Sequence, residues 1–146
     1  MTRTSPRRRS RELVLQGLYQ RQLSGNAAAA VHDDLAESPG FLRADKPYFD
    51  EMWQGIAGEY DTLLASLAPC LDRKPTEVSP VERAILVIGA WELLRRMEIP
   101  YKVVINEAVE LAKVYGGTDG YRYVNGVLDK YAAGARAAEI AALAQT

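Results

Sequence analysis

Apolar residues recur along most of this chain at three- and four-residue intervals, the period of a helix that buries one face. The clearest case begins at Pro47. Phe49, Met52, Trp53, Ile56, Tyr60, Leu63, Leu64 and Leu67 share one side, which predicts a helix to about Leu67 that Pro69 stops or bends. Ser79-Pro80-Val81-Glu82 combines a capping-box pattern with proline at the first helical position. The stretch Ala84 to Trp91 that follows is apolar on every side, the mark of a central buried helix. Ile99-Pro100 breaks the chain, and Lys102 to Tyr115 resumes helical spacing with Ile105, Ala108, Val109 and Ala112 inward. Gly116-Gly117 then predicts a left-handed stop. A last helix opens at Thr118-Asp119 with Val124, Val127, Leu128 and Tyr131 inward, and Gly126 within it predicts a close approach between helices.

Towards the amino terminus, Ser5-Pro6 supplies an N-cap and a first-turn proline, and helical spacing continues to about Leu23 with Val14, Gly17 and Leu18 inward. At 100° per residue, Arg9, Glu12, Gln16 and Gln20 fall on the opposite face, with Arg8 and Tyr19 along its border. Ser24-Gly25-Asn26 ends this helix, Ala27 to Glu37 reads as a shorter second one, and Ser38-Pro39-Gly40 breaks the chain again. No strand-type alternation and no repeat of twenty to fifty residues interrupts the pattern. The fold class is therefore all-α, a single-domain helical bundle over residues 5–133. It is preceded by an arginine-rich arm (1–11) leading into the first helix and followed by an Ala-rich tail (134–146), whose order the sequence leaves open.

Composition adds bounds. With 146 residues and 48% hydrophobic content, the chain is long enough to bury a continuous core without a metal or disulfide staple. The single cysteine, Cys70, has no partner for an internal disulfide and no Cys/His grouping around it, which fits a reducing compartment. Glu82, Glu92 and Arg95 interrupt the most apolar stretch well before the roughly 18 uncharged residues a membrane span needs. The expectation is a cytoplasmic protein with no membrane contact. No apolar stretch and cleavage signal follow Arg7-Arg8-Arg9, so the start of the chain reads as mature protein, not as a transit peptide.

Charge changes the picture more. The formal net charge of −1 hides an asymmetry, because residues 1–11 hold Arg3, Arg7, Arg8, Arg9 and Arg11 and no acid. Removing those five from the 18 basic residues leaves 13 against 19 acidic ones, a balance of −6 on the body. A positive arm on an acidic body confines a polyanion to one end of the molecule.

The patterns that carry catalysis are sparse. The one histidine, His32, stands beside Asp33 and Asp34 without a nucleophile in the same motif. Glu107 and Glu110 lie within helical reach of Lys113, as on an ordinary solvated face. Gly116-Gly117 and Gly120 follow a helix and not the strand that a phosphate-cradling loop requires. The sequence thus points to no enzyme, no cofactor and no metal. What remains is the arginine cluster, whose planar guanidinium groups pair with phosphate bidentately and stack on bases. Tyr19 lies about three turns from Arg8 on the same side, and Tyr121 and Tyr123 offer further rings. These residues leave alternatives open: a solvated tail is about as compatible with the arginine run as polyanion binding, a border tyrosine also serves packing, and spacing does not choose RNA over DNA.

Specific blocks narrow this. Arg7-Arg8-Arg9-Ser10-Arg11-Glu12 followed by Leu15-Gln16-Gly17-Leu18-Tyr19 resembles the amino terminus of the NusB family of bacterial transcription antitermination factors. Three further blocks occur in the family's order and spacing. They are Ser79-Pro80-Val81-Glu82-Arg83-Ala84-Ile85-Leu86, the stretch Ile99-Pro100-Tyr101-Lys102-Val103-Val104-Ile105-Asn106-Glu107-Ala108-Val109-Glu110-Leu111-Ala112-Lys113, and Tyr123-Val124-Asn125-Gly126-Val127-Leu128-Asp129-Lys130. The resemblance covers roughly residues 5–132 and implies a bundle of about seven helices. It implies a non-catalytic factor that binds the single-stranded boxA RNA of ribosomal RNA operon leader transcripts, together with the ribosomal protein NusE, and joins the RNA polymerase antitermination complex.

Carried over position by position, the resemblance assigns RNA contact to Arg7, Arg8, Arg9, Arg11, Gln16, Tyr19, Asp119 and Tyr123. It assigns NusE contact to Glu77, Glu82 and Asp119. Ser10 departs from the alanine common between the family's arginines. Two rival readings stand beside it. One is the NusB-like amino-terminal domain of an RNA cytosine methyltransferase, although no Rossmann-type segment follows before Thr146 and Cys70 is the one cysteine available. The other is a self-associating helical scaffold, since some relatives resemble homodimers that cover their RNA face.

Overall fold

The computed structural model describes residues 5–145; residues 1–4, Arg3 among them, and Thr146 lie outside the described residues. Seven α-helices follow one another among the described residues, with no strand: α1 Pro6–Ser24, α2 Ala28–Ala36, α3 Lys46–Leu67, α4 Pro80–Arg95, α5 Tyr101–Tyr115, α6 Gly120–Ala135 and α7 Ala137–Ala144. Short 3-10 turns at Pro39–Arg43, Ala68–Cys70 and Pro75–Glu77 connect them. The chain divides into two compact units, one up to Tyr60 and one from Asp61 onward, with the boundary inside α3.

In the first unit α1 starts where Ser5 accepts a hydrogen bond from the Arg8 amide at 3.1 Å. It stops at Gly25, which adopts the left-handed conformation (φ 72°) that L side chains resist. The inner face holds Leu13, Val14, Leu15 and Leu18, all buried. Gly17 lies among them of necessity, because a Cβ there would sit 2.5 Å from the Trp53 ring and 2.7 Å from Leu35. Trp53 in turn donates its indole N–H to the Ala28 carbonyl at 3.2 Å, and Phe41, Phe49, Trp53 and His32 form one aromatic cluster.

The second unit is built on α4. Every residue from Ala84 to Leu93 is buried, as its all-round apolarity predicts, and α5 and α6 both pack against it. α4 and α6 come close at Gly89, where an added Cβ would approach Leu128 to 2.8 Å. At the carboxyl end of α4 lies Arg136, only 3% exposed. Its guanidinium donates to the carbonyls of Leu93 (2.6 Å), Ile99 (2.9 Å), Glu92 (3.3 Å) and Arg96 (2.9 Å), and to Glu139 Oε1 (2.5 Å). A cation is well placed there, facing the negative end of a helix and four carbonyls that need donors. Glu139 also accepts from the Tyr101 amide at 2.9 Å, so α7 caps α5 where Pro100 has no side chain to do so.

Two expectations fail. Gly116 ends α5 in extended backbone (φ −83°, ψ 175°), and Gly25 is the one described glycine with positive φ, so neither Gly116 nor Gly117 makes a left-handed stop. Glycine serves at 116 for space: a Cβ would lie 2.7 Å from the Ala112 carbonyl oxygen. The left-handed turn falls to Asp119 (φ 62°) instead. Gly126 makes no close helix approach either, since it is exposed and an added Cβ would meet nothing within 4 Å.

Candidate nucleic-acid interface

The first turns of α1 place Arg7, Arg8, Arg9 and Arg11 at a helix amino terminus with no acid in the first turn. This opposes the helix dipole, whose positive end favours anions. Pro6 has no N–H, and Ser5 accepts from the amides of Arg8 and Arg9, so it is the arginine side chains that favour a phosphate or another anion there.

The arginines are held from below. Ser10 is fully buried, and its hydroxyl donates to the Asp45 carbonyl at 2.7 Å, with the Pro6 carbonyl 3.2 Å away. The Asp45 amide donates back to the Pro6 carbonyl at 3.1 Å, and Asp45 Oδ1 accepts from the Tyr48 amide at 3.1 Å, which caps α3. The start of α1 is thereby fastened to the start of α3. This brings the buried Tyr48 ring under two arginines, with the guanidinium carbons of Arg7 and Arg11 4.2 and 5.7 Å from its centroid. Arg11 is only 4% exposed, so it belongs to the supporting layer, whereas Arg7, Arg8 and Arg9 are half-buried at the surface. Arg9 pairs with Glu12 at 3.1 Å. Gln16 is exposed, and Tyr19 is 39% exposed farther along the same helix.

The second unit gathers the other assigned residues around the turn before α6. Tyr123 is half-buried, and the Arg73 guanidinium lies 4.4 Å from its ring centroid. Asp72 grips Arg73 with two hydrogen bonds, at 2.7 and 3.2 Å. That grip raises the pKa of Arg73 and lowers that of Asp72, while burial chiefly pushes the Tyr123 phenol above its ordinary value. Tyr121 has Lys113 5.5 Å and Arg122 5.7 Å from its ring, and Arg122 Nε donates to its hydroxyl at 3.1 Å. Both rings are thus already paired with cations of the chain.

Among the assigned acids, Asp119 is exposed at its left-handed turn with Arg122 3.7 Å away. Ser79 Oγ accepts from the Glu82 amide and donates its hydroxyl to the Glu82 carboxylate, so the expected capping box is only half made, and that carboxylate fills the space where Gly120 lacks a Cβ. Glu77 accepts from the Lys74 amide at 3.2 Å, within its own turn. Asp45, Tyr48 and Arg73 escape the sequence reading. The pattern Asp45-x-x-Tyr48 carries an N-cap signal, but nothing local ties it to arginines some forty positions earlier. Among the described residues no group of three or more His, Cys, Asp or Glu is placed to hold a metal ion. No helix among them is long and apolar enough to cross a membrane.

Known proteins resemble this chain in sequence and in fold. A profile of the NusB family matches residues 8–133. The transcription antitermination protein NusB of Ralstonia nicotianae is 56% identical over 138 residues, covering 94% of this chain and 89% of that protein. The protein of the same name from Methylobacillus flagellatus is 54% identical over 130 residues, covering 89% of this chain and 84% of the relative. Among solved structures, T. maritima NusB superposes with a TM-score of 0.79 at 27% identity, covering 90% of this chain and 94% of that one. With its helix order, its arginine-bearing first helix and a profile match across most of its length, this chain belongs to the NusB family.

Proposed function

We propose that this protein is a transcription antitermination factor that binds single-stranded boxA RNA through the amino-terminal end of α1 and acts by binding, not catalysis. The observation that carries this is the set of arginines at a helix amino terminus, held at fixed height by Tyr48 and by the Ser10–Asp45 hydrogen bond. Phosphates are drawn by Arg7, Arg8 and Arg9, and Tyr19 and Gln16 meet bases farther along the helix. The names borne by the relatives support the same role. In this reading NusE docks against Glu77, Glu82 and Asp119, and two weak RNA surfaces become one tighter composite that joins the elongating polymerase in the cytoplasm.

The test is a fluorescence-anisotropy titration of boxA and scrambled RNA across a salt series. Arg8→Ala should weaken both RNAs alike and reduce the salt slope by about 1. Tyr19→Ala should chiefly erode the preference for boxA. Curves for both variants that overlay the wild type would refute the reading.

A further inference from the structure

Three exposed positions in the middle of α5 and α6 run against helix preference with no internal reason. Asn106 is exposed, and its side chain makes no hydrogen bond among the described residues. Asn125 is exposed, and its one contact is a marginal 3.5 Å approach of its amide nitrogen to Asp129. Gly126 is exposed, and a side chain there would strike nothing. Asparagine is a poor helix former and glycine the poorest after proline, so packing explains none of the three.

The two asparagines line one surface groove of about 300 Å³, together with Lys102, Ile105, Val109 and Asp129. Its floor is apolar, with Ile105 buried and Val109 half-buried. Its polar lining consists of two carboxamides, one cation and one anion, whose charges cancel and give a polyanion no field to follow.

We propose that this groove binds an extended segment of another polypeptide by its main chain. A carboxamide presents one donor and one acceptor in nearly the spacing of a peptide unit, so Asn106 and Asn125 are suited to pair with the N–H and C=O groups of an extended strand. Gly126, next to Asn125 in the chain, adds no side chain beside it. Lys102 and Asp129 give the segment a direction, favouring an acidic side chain near the one and a basic side chain near the other. This inference is independent of the RNA reading and uses none of its residues.

The experiment selects a phage-displayed library of random dodecapeptides on the full chain and titrates the synthesised winners by calorimetry, with the asparagine side-chain amide signals followed by NMR. The expected winners move the Asn106 and Asn125 signals, bind the Asn106→Ala/Asn125→Ala variant at least tenfold more weakly, and lose binding when alternate main-chain nitrogens are methylated. Gly126→Ala should raise Tm by about 2–4 °C, which separates a binding role from a structural one. The inference is overturned if no selected peptide moves those signals, if the double variant or the methylated peptides bind as well as their parents, or if single-stranded RNA alone moves the signals. A fall in Tm for Gly126→Ala or for the double variant also overturns it.

Discussion

Replacing Arg136 by alanine removes five hydrogen bonds at one point, the carboxyl end of α4. The carbonyls of Glu92 and Arg96 keep a second donor each, the amides of Arg96 and Ile99, both at 3.0 Å. Those of Leu93 and Ile99 lose the donor that Arg136 supplies. A buried acceptor stripped of its partner costs about 1–3 kcal/mol, so the two together cost about 2–6 kcal/mol. The vacated volume of the buried stem adds to this, and about 2 kcal/mol of regained arginine side-chain entropy offsets it. A net loss of about 3–4 kcal/mol follows. With a urea m-value of about 2 kcal/mol/M, the unfolding midpoint followed by far-UV circular dichroism should fall by about 1.5–2 M. Two further variants separate the causes. Arg136→Met restores most of the volume but no donor, and should stay near the alanine variant. Arg136→Lys retains the charge and fewer donors, and should lose about half as much. An alanine variant within about 1 kcal/mol of wild type, or a methionine variant equal to wild type, would refute the argument that the donors matter.

Other perturbations test the first unit. Hydrogen bonding to Asp50, at 2.7 Å from Nε2, raises the His32 pKa above 6.5, with Asp33 adding and burial opposing. A raised folded-state pKa gives stability that is full below the unfolded value and is lost as pH rises through the folded one. Wild type should therefore exceed Asp50→Asn most below pH 6.5 and converge on it at higher pH in urea melts; a constant difference would contradict this. Ser10→Ala leaves the Asp45 carbonyl without its side-chain donor and should cost about 1–2 kcal/mol, and a loss under about 0.5 kcal/mol would show that the clamp is immaterial. Gly17→Ala should destabilise by about 1–3 kcal/mol because the new methyl collides with Trp53 and Leu35. A rise in Tm, as helix propensity alone would give, would contradict that packing.

Most helix limits were legible in the sequence because the forces that set them act within one turn. Ser5-Pro6 begins α1, Ser79-Pro80 begins α4, and Gly25 ends α1, each through a cap or backbone conformation that its own residues determine. The apolar stripe of α3 and the all-round apolarity of α4 likewise mark what is buried, since burial follows side-chain chemistry at helical spacing. Glycine was harder to read. One residue type serves positive φ, close packing or neither, and Gly25, Gly89 and Gly126 are one of each. What lies around each glycine decides which.

Tertiary structure alone decided what holds the arginines and what closes α4. Ser10 meets Asp45 across 35 positions, and Arg136 meets Leu93 across 43. The arginine motif could be seen in the sequence as a charge run, but its division into a surface set and a supporting Arg11 depends on Tyr48. The alanine-rich end, whose order composition left open, continues as α7, where Glu139 has both the Arg136 guanidinium and the Tyr101 amide as donors. Such contacts leave no periodic trace, because a hydrogen bond between distant segments constrains one residue on each side and nothing between them. Local chemistry sets the helices, and the partners that folding brings within 3 Å set what each polar side chain does.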